Sequence, residues 1–205
     1  MKVLLLNGSP NIDGCTNRAL DEMIKVFEEN DVECIKIQVG SMDVSGCSGC
    51  LACKKIGSCV DDEINKANAI FKECDGMVIG SPVYFASPNG TLISFLDKMF
   101  YSSSFDKTMK VGASVVSCRR SGNTASFDVL NKYFTISGMP VASSQYWNNV
   151  HGFTKEDVEK DLEGLQTMRV LARNMVFLMK SIKLGKDSFG LPKKEEKKER
   201  TSFLK

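Results

Sequence analysis

The sequence predicts an α/β fold, one doubly wound parallel sheet of five strands with helices on both faces. Three observations carry this. Short apolar segments alternate along the chain with segments of helical periodicity. Two of them, "KVLLLN" (2–7) and "GMVIGSPVY" (76–84), are nearly continuous in apolar residues, as strands buried on both faces require. The same two break off into "NGSPNIDGCTN" (7–17) and "GSPVYFASPNG" (80–90), where Gly, Ser, Pro and Asn mark tight loops leading into helices.

The elements follow in order. Residues 2–7 form the first strand. Residues 16–29 read as a helix, because Leu20, Met23, Ile24 and Phe27 recur at spacings of three and four opposite Asp21, Glu22 and Lys25. "VECIKIQV" (32–39) alternates apolar with polar residues and is a second strand. Residues 40–60 are rich in Gly, Ser and Cys and read as a long loop. The helix over 61–74 begins with acids, which suit a helix N-terminus. After the third strand, 89–101 is a helix with Leu92, Phe95, Leu96, Met99 and Phe100 on its apolar face. "KVGASVVSC" (110–118) is the fourth strand, and 123–138 is a helix closed by Gly138. "MPVASSQYW" (139–147) reads as a short fifth strand. A single long helix is expected over 154–182, with Val158, Leu162, Leu165, Met168, Leu171, Met175 and Met179 as its stripe. No internal repeat is present.

The 205 residues fit one domain, expected over 1–182, followed by an arm or tail over 183–205. Within that tail "KKEEKKER" reads as a solvated run, and Phe203 and Leu204 beyond it suggest an arm packing on a second subunit. The net charge of +2, from 27 basic and 25 acidic side chains, argues against a nucleic-acid partner. No apolar run approaches the roughly 20 residues that span a bilayer. The start lacks the pattern of a secretory signal, so the expected location is cytoplasmic.

Ligands of such sheets bind beyond the carboxyl ends of the strands, near the point where strand order reverses. The loop 7–17 offers Gly8 and Gly14 for close backbone approach, side-chain donors at Ser9, Thr16 and Asn17, and N–H groups at a helix start, where an anion is favoured. A phosphate suits it, although an ordinary capped turn reads the same way. The loop matches neither the triphosphate-binding pattern G-x-x-x-x-G-K-[ST] nor the dinucleotide pattern G-x-G-x-x-G. The loop at Pro82, Val83, Tyr84, Phe85 and Ala86 presents aromatic residues between prolines, which suits the face of a planar ring or a lid on the core.

Together, "GSPNIDGCTN" and "GSPVYFASPNGTLISFLDK" resemble the NADPH-dependent FMN reductase and iron–sulfur flavoprotein family, over roughly residues 1–150. The resemblance implies a flavodoxin-like fold with strand order 2-1-3-4-5. It implies FMN, with the phosphate at Ser9, Cys15, Thr16 and Asn17, Asn11 in the same loop, and the isoalloxazine beside Pro82, Val83, Tyr84 and Phe85. The family's third contact falls on "SCRRSGN" (117–123), hence Ser117, Cys118 and Gly122. It also implies NADPH or NADH as reductant and a homodimer or higher homo-oligomer.

Arg119 and Arg120 stand at the end of the fourth strand, where a cation would stabilise charge on a reduced flavin or grip a nucleotide phosphate; solvated loop arginines are the plainer reading. "QYWNNVHG" holds the only Trp and the only His. His151 is a candidate proton donor to a reduced substrate, against a purely structural role. Cys47, Cys50, Cys53 and Cys59 follow C-x2-C-x2-C-x5-C, half of the eight cysteines within thirteen positions. The compact spacing suits a [4Fe–4S] cluster, which the resemblance also implies; redox-active thiols or zinc remain open.

The leading functional expectation is an oxidoreductase that takes hydride from NAD(P)H and passes electrons to a flavin, quinone or similar small acceptor. The alternative is a non-enzymatic carrier relaying electrons between FMN, a cluster and a redox partner protein. A third reading is a nucleotide-binding module without redox chemistry.

Overall fold

Burial on both faces explains the centre of the fold. In β1 (Lys2–Asn7), Val3 to Leu6 are wholly buried, and alternate side chains enter two different cores. Val3 and Leu5 point to α1 (Cys15–Glu28) and to α7 (Leu162–Phe189), packing with Leu20, Phe27, Met168 and Met175. Leu4 and Leu6 point to α3 (Asp62–Lys72) and α4 (Gly90–Ser102), packing with Ile64, Phe71, Phe95 and Leu96. A fully buried leucine contributes about 1.5–3 kcal/mol, so a polar residue at any of these four positions would be costly.

The structure, a computed structural model, describes residues 1–192, 196, 199, 201 and 203. The remaining elements are β2 (Glu33–Gln38), α2 (Ala52–Ile56), β3 (Gly76–Tyr84), β4 (Ser87–Pro88), β5 (Val111–Cys118), α5 (Asn123–Ile136), β6 (Asn149–His151) and α6 (Lys155–Val158). The sheet order is β2-β1-β3-β5-β6, and these strands pair in parallel. Counting parallel strands alone gives the expected 2-1-3-4-5. The order reverses between β1 and β3, so the crevice lies above their carboxyl ends. The extra strand, β4, folds back on β3 as a hairpin, pairing Val83 with Pro88 and Tyr84 with Ser87.

Three expectations need correction. The fifth strand is not continuous over 139–147. Val141 makes one isolated bridge to Gly112, and the ladder resumes only at β6. Between them, side chains take the backbone's polar groups: Asn174 donates to the Ser143 carbonyl at 2.8 Å, and the Tyr146 N–H donates to Ser144 Oγ at 3.3 Å. The long helix over 154–182 is two helices, because the Asp161 carboxylate caps a new start. It accepts from Gly164 N at 2.9 Å and from His151 N at 2.7 Å. Leu162, expected in the buried stripe, is consequently exposed, while the rest of that stripe is buried. Finally, the loop over 40–60 contains the short helix α2, bounded by Leu51 and Gly57 in the left-handed region.

Helix α7 continues to Phe189, past residue 183 where a tail was expected to begin. Phe203 is exposed; Leu204 and most of "KKEEKKER" lie outside the described residues.

Candidate functional site

Of the five long helices, α1, α3, α4, α5 and α7, two begin without a side-chain cap, and both begin above the sheet's carboxyl edge. Asp61, Asn89 and Asp161 cap α3, α4 and α7 with their own side chains. Helix α1 starts at Gly14 and α5 at Gly122, each without a side-chain cap and without an acid in its first turn. Their leading N–H groups are donors in want of acceptors, at the positive ends of two helix dipoles. The first turn of α1 meets the end of β5, the strand that leads to α5: Thr16 Oγ1 and Ser117 Oγ lie 2.7 Å apart, both side chains buried. This is the donor set an anionic cofactor group requires, and the residues fit a flavin monophosphate.

The loop 7–17 is held rigidly around that start. Gly8 N donates to Gly80 O at 2.8 Å, Ser9 N to Asn7 Oδ1 at 3.0 Å, and Asn11 N to Ser9 Oγ at 3.1 Å. Gly40 passes so near that a Cβ there would sit 2.3 Å from the Ser9 carbonyl oxygen. The Asn17 side chain is engaged by Lys36 and Asp21, each at 2.7 Å, so what Asn17 offers a ligand is its N–H. The Cys15 thiol donates to Thr154 O at 3.3 Å, and burial pushes its pKa up, so it is a packed donor and no nucleophile.

Segment 154–159 braces the loop from outside. Besides the Cys15–Thr154 contact, Lys155 pairs with Asp13, covering the one acid of the anion loop, and Arg18 pairs with Glu159. Arg18 also meets Glu22 at 2.8 Å, and Glu22 meets Arg169 of α7 at 2.5 Å. Burial alone would raise the Glu22 carboxyl, but hydrogen bonds from Arg169 and Arg18 outweigh it and hold the pKa at about 2.

The β3–β4 hairpin forms the opposite wall. Its two central residues, Phe85 and Ala86, have φ of 51° and 58°, the sign that primed two-residue hairpins demand and that Asn-Gly usually supplies. Such strain costs of order 1–3 kcal/mol per residue and persists where the surroundings impose it. Here Asn89 N donates to Ser81 Oγ at 3.0 Å behind the turn, and Gly122, at φ 86°, packs against it. A Cβ on Gly122 would lie 2.9 Å from Ala86 Cα and 3.1 Å from Val83 Cγ1. Phe85 is fully exposed and Tyr84 half-exposed, with no group among the described residues covering the Phe85 ring.

The structure thus brings Ser9, Asn11, Cys15, Thr16 and Asn17 to one corner, with Ser117 against Thr16. Val83 and Ala86 lie against Gly122, Tyr84 and Phe85 stand between them in the hairpin, and Pro82 precedes them on β3. Cys118 is buried, its thiol raised by burial. Arg119 and Arg120 are exposed beyond β5, without an ion-pair partner among the described residues. His151 pairs with Cys118 in the ladder; its Nδ1 is 3.7 Å from Asp161 Oδ2 and 3.4 Å from Asn149 Nδ2. Sequence reasoning missed Lys36, Lys155, Glu159, Gly40 and Asp161, which act across the fold with no local pattern to announce them.

All eight cysteines are free. Cys47, Cys50, Cys53 and Cys59 line one small cavity of about 30 Å³ together with Leu51, Val60, Lys98, Tyr101 and Ser102. No three metal-ligating side chains among the described residues are close enough to hold an ion, so the thiols converge without forming a closed coordination sphere. A Cβ at Gly46, Gly49 or Gly57 would meet nothing within 4 Å. Four cysteine sulfurs lining one concavity are the donor type that an iron–sulfur cluster takes.

Three comparisons bear on this arrangement. An iron-sulfur flavoprotein of Methanocaldococcus jannaschii is 29% identical over 192 residues, covering 89% of this chain and all of that protein. A flavodoxin, WrbA-like protein from Agrobacterium tumefaciens superposes with a TM-score of 0.60 at 14% identity, covering 88% of this chain and 97% of that one. An NAD(P)H:quinone oxidoreductase from Methanothermobacter marburgensis superposes with a TM-score of 0.67 at 12% identity, covering 85% and 96%. The fold is therefore flavodoxin-like. Residues 1–154, which contain both uncapped helix starts and the hairpin facing them, match the NADPH-dependent FMN reductase family. That match takes in most of the chain, which belongs to this family and is an FMN-dependent oxidoreductase.

Proposed function

We propose that FMN binds across the carboxyl ends of β1, β3 and β5, that NAD(P)H reduces it, and that electrons leave to a small quinone- or flavin-type acceptor. The observation that carries this is the pair of uncapped helix starts, α1 and α5, with Thr16 of the first bonded to Ser117 at the end of the strand that leads to the second. In this reading the N–H groups of Cys15, Thr16 and Asn17 hold the phosphate, with Ser9 and Asn11 shaping the loop. Tyr84 and Phe85 flank the ring, while Pro82 and Val83 fix the hairpin they stand on. Ser117, Cys118 and Gly122 present the second helix start to the ring's polar edge. When bound, the flavin supplies hydride acceptance and electron release. Arg119 and Arg120 orient the incoming nucleotide by its phosphates. His151, held through its backbone by Asp161, presents its ring to a substrate being protonated. Replacing both arginines by Met should raise KM for NADPH with FMN content unchanged; unaltered turnover and flavin potential would remove their role.

The four cysteines are proposed to hold a [4Fe–4S] cluster, supported by their shared cavity and by the name of the archaeal relative. Anaerobic purification should give iron and sulfide with a broad visible absorbance that bleaches with dithionite. Zinc without sulfide, or no metal, would contradict this. Eight free thiols support a reducing, cytoplasmic setting. No helix among the described residues is long and apolar enough to cross a membrane. Exposed Trp147, Phe153 and Leu162 near the end of β6 support a homodimer closing over this side.

A further inference from the structure

We propose that Lys98 is the positioning residue and counter-charge of the four-cysteine site, an inference that rests on reading those cysteines as cluster ligands. Lys98 lies on α4, outside the cysteine segment, and its side chain is only 11% exposed. Its ammonium donates to Ser45 Oγ at 3.2 Å and to Asp61 Oδ2 at 3.0 Å. Ser45 stands two residues before Cys47 and Asp61 two residues after Cys59. One side chain on a rigid helix therefore ties both ends of the ligand-bearing segment to the body of the protein. Asp61 is itself fixed, since its other oxygen accepts from Glu63 N at 3.2 Å at the start of α3.

A second clamp acts beside it. Asn65 of α3 grips the backbone of Cys59 from both sides, donating to its carbonyl at 2.8 Å and accepting from its N–H at 2.9 Å. Cys59 is thus the anchored ligand, while Cys47 and Cys50 are exposed on the open part of the loop. The anchoring side chains belong to α3 and α4, which pack into the lower core through Ile64, Phe71, Phe95 and Leu96.

Charge gives Lys98 its second role. Among the described residues lining the cavity it is the sole cation, and it shares that lining with four cysteines. Thiolates around a cluster accumulate negative charge in a partly dry site, and a neighbouring cation stabilises the reduced, more negative state. Asp61 offsets part of that charge, which makes the tethering the larger effect and the shift in potential the smaller.

The test uses the full chain, reconstituted anaerobically, as wild type, Lys98→Met, Lys98→Arg and the exposed, fold-neutral Ser45→Ala. Bound FMN per chain serves as the internal control of folding. Lys98→Met should lose iron to a chelator with roughly 10- to 100-fold weaker retention, the range for removing outer partners of metal ligands. Its cluster potential, read by mediated titration with EPR, should move negative. In chelator-treated chains its Cys47 and Cys59 should alkylate faster, with Cys34 and Cys74 unchanged. Ser45→Ala should loosen Cys47 alone, and Lys98→Arg should restore retention. Wild-type retention, potential and alkylation in Lys98→Met would overturn the proposal, as would retention lost together with FMN in every variant. A wild-type chain that takes up no iron and sulfide would instead defeat the cluster reading itself, a failure visible before any variant is made.

Discussion

Replacing Gly122 by Ala tests the contact between the two loops that build the flavin site. Gly122 has φ 86°, and a Cβ there would meet the Ala86 backbone at 2.9 Å. A left-handed conformation costs an L-residue about 1–2 kcal/mol. The clash adds more, because backbone cannot move aside as a side-chain tip can, so the Phe85–Ala86 turn must shift. The same helix provides the control at its other end. Gly138 has φ 69°, but a Cβ there meets nothing nearer than Thr108 Oγ1 at 3.4 Å. Gly138→Ala therefore carries the strain without the displacement. Both variants should melt lower, by about 2–4 °C per kcal/mol for a chain of this size. Only Gly122→Ala should weaken FMN, by roughly ten- to a hundredfold, as expected if one charge-assisted hydrogen bond worth about 1.5–3 kcal/mol is lost. Thermal melts and quenching of flavin fluorescence on titration measure the two effects separately. Equal FMN affinity in the two variants would refute the claim that the β5–α5 and β3–β4 loops form one wall.

Two further outcomes follow from the charge network and the loop. Glu22 sits at about 2 when folded against 4.5 when free, so its ion pairs stabilise the protein fully above the free value and less as pH falls from 4.5 toward 2. Its side chain is well buried, and the contribution lost is about 3 kcal/mol; Glu22→Gln should flatten the urea midpoint between pH 5 and pH 2, and an unchanged acid slope would contradict the assignment. Cys15→Ala removes a hydrogen bond to Thr154 O and should cost about 0.5–1.5 kcal/mol in urea melts, while FMN affinity stays within about twofold because the backbone N–H is retained. A large loss of FMN would mean that the thiol itself contacts the cofactor.

The strands were legible in two ways: β1 and β3 from apolar runs buried on both faces, and the edge strand β2 from its alternation of apolar and polar residues. Leu4 and Met77 lie in nearly continuous apolar runs, and no helix period fits such short segments. What was illegible depends on distant partners. Ser143 and Ser144 look like strand residues until Asn174 claims the Ser143 carbonyl. Asp161 looks like one more acid in a helix until it is seen to cap a new helix and bind His151 N. The turn at Phe85–Ala86 carries no Asn or Gly to announce it, since the surrounding ladder and Gly122 impose it. The site loops were readable from their glycines and polar residues; the cations and acids that brace them, Lys36, Lys155 and Glu159, were not.

A phosphate held at the start of α1 is the centre of the proposed flavin site. Titrating the cofactor-free chain with FMN and with riboflavin, which has the same ring and no phosphate, tests it most directly. FMN should bind at least roughly a hundredfold more tightly, the effect of two charge-assisted hydrogen bonds at about 3 kcal/mol together. Equal affinity for the two, or binding of neither, would contradict it.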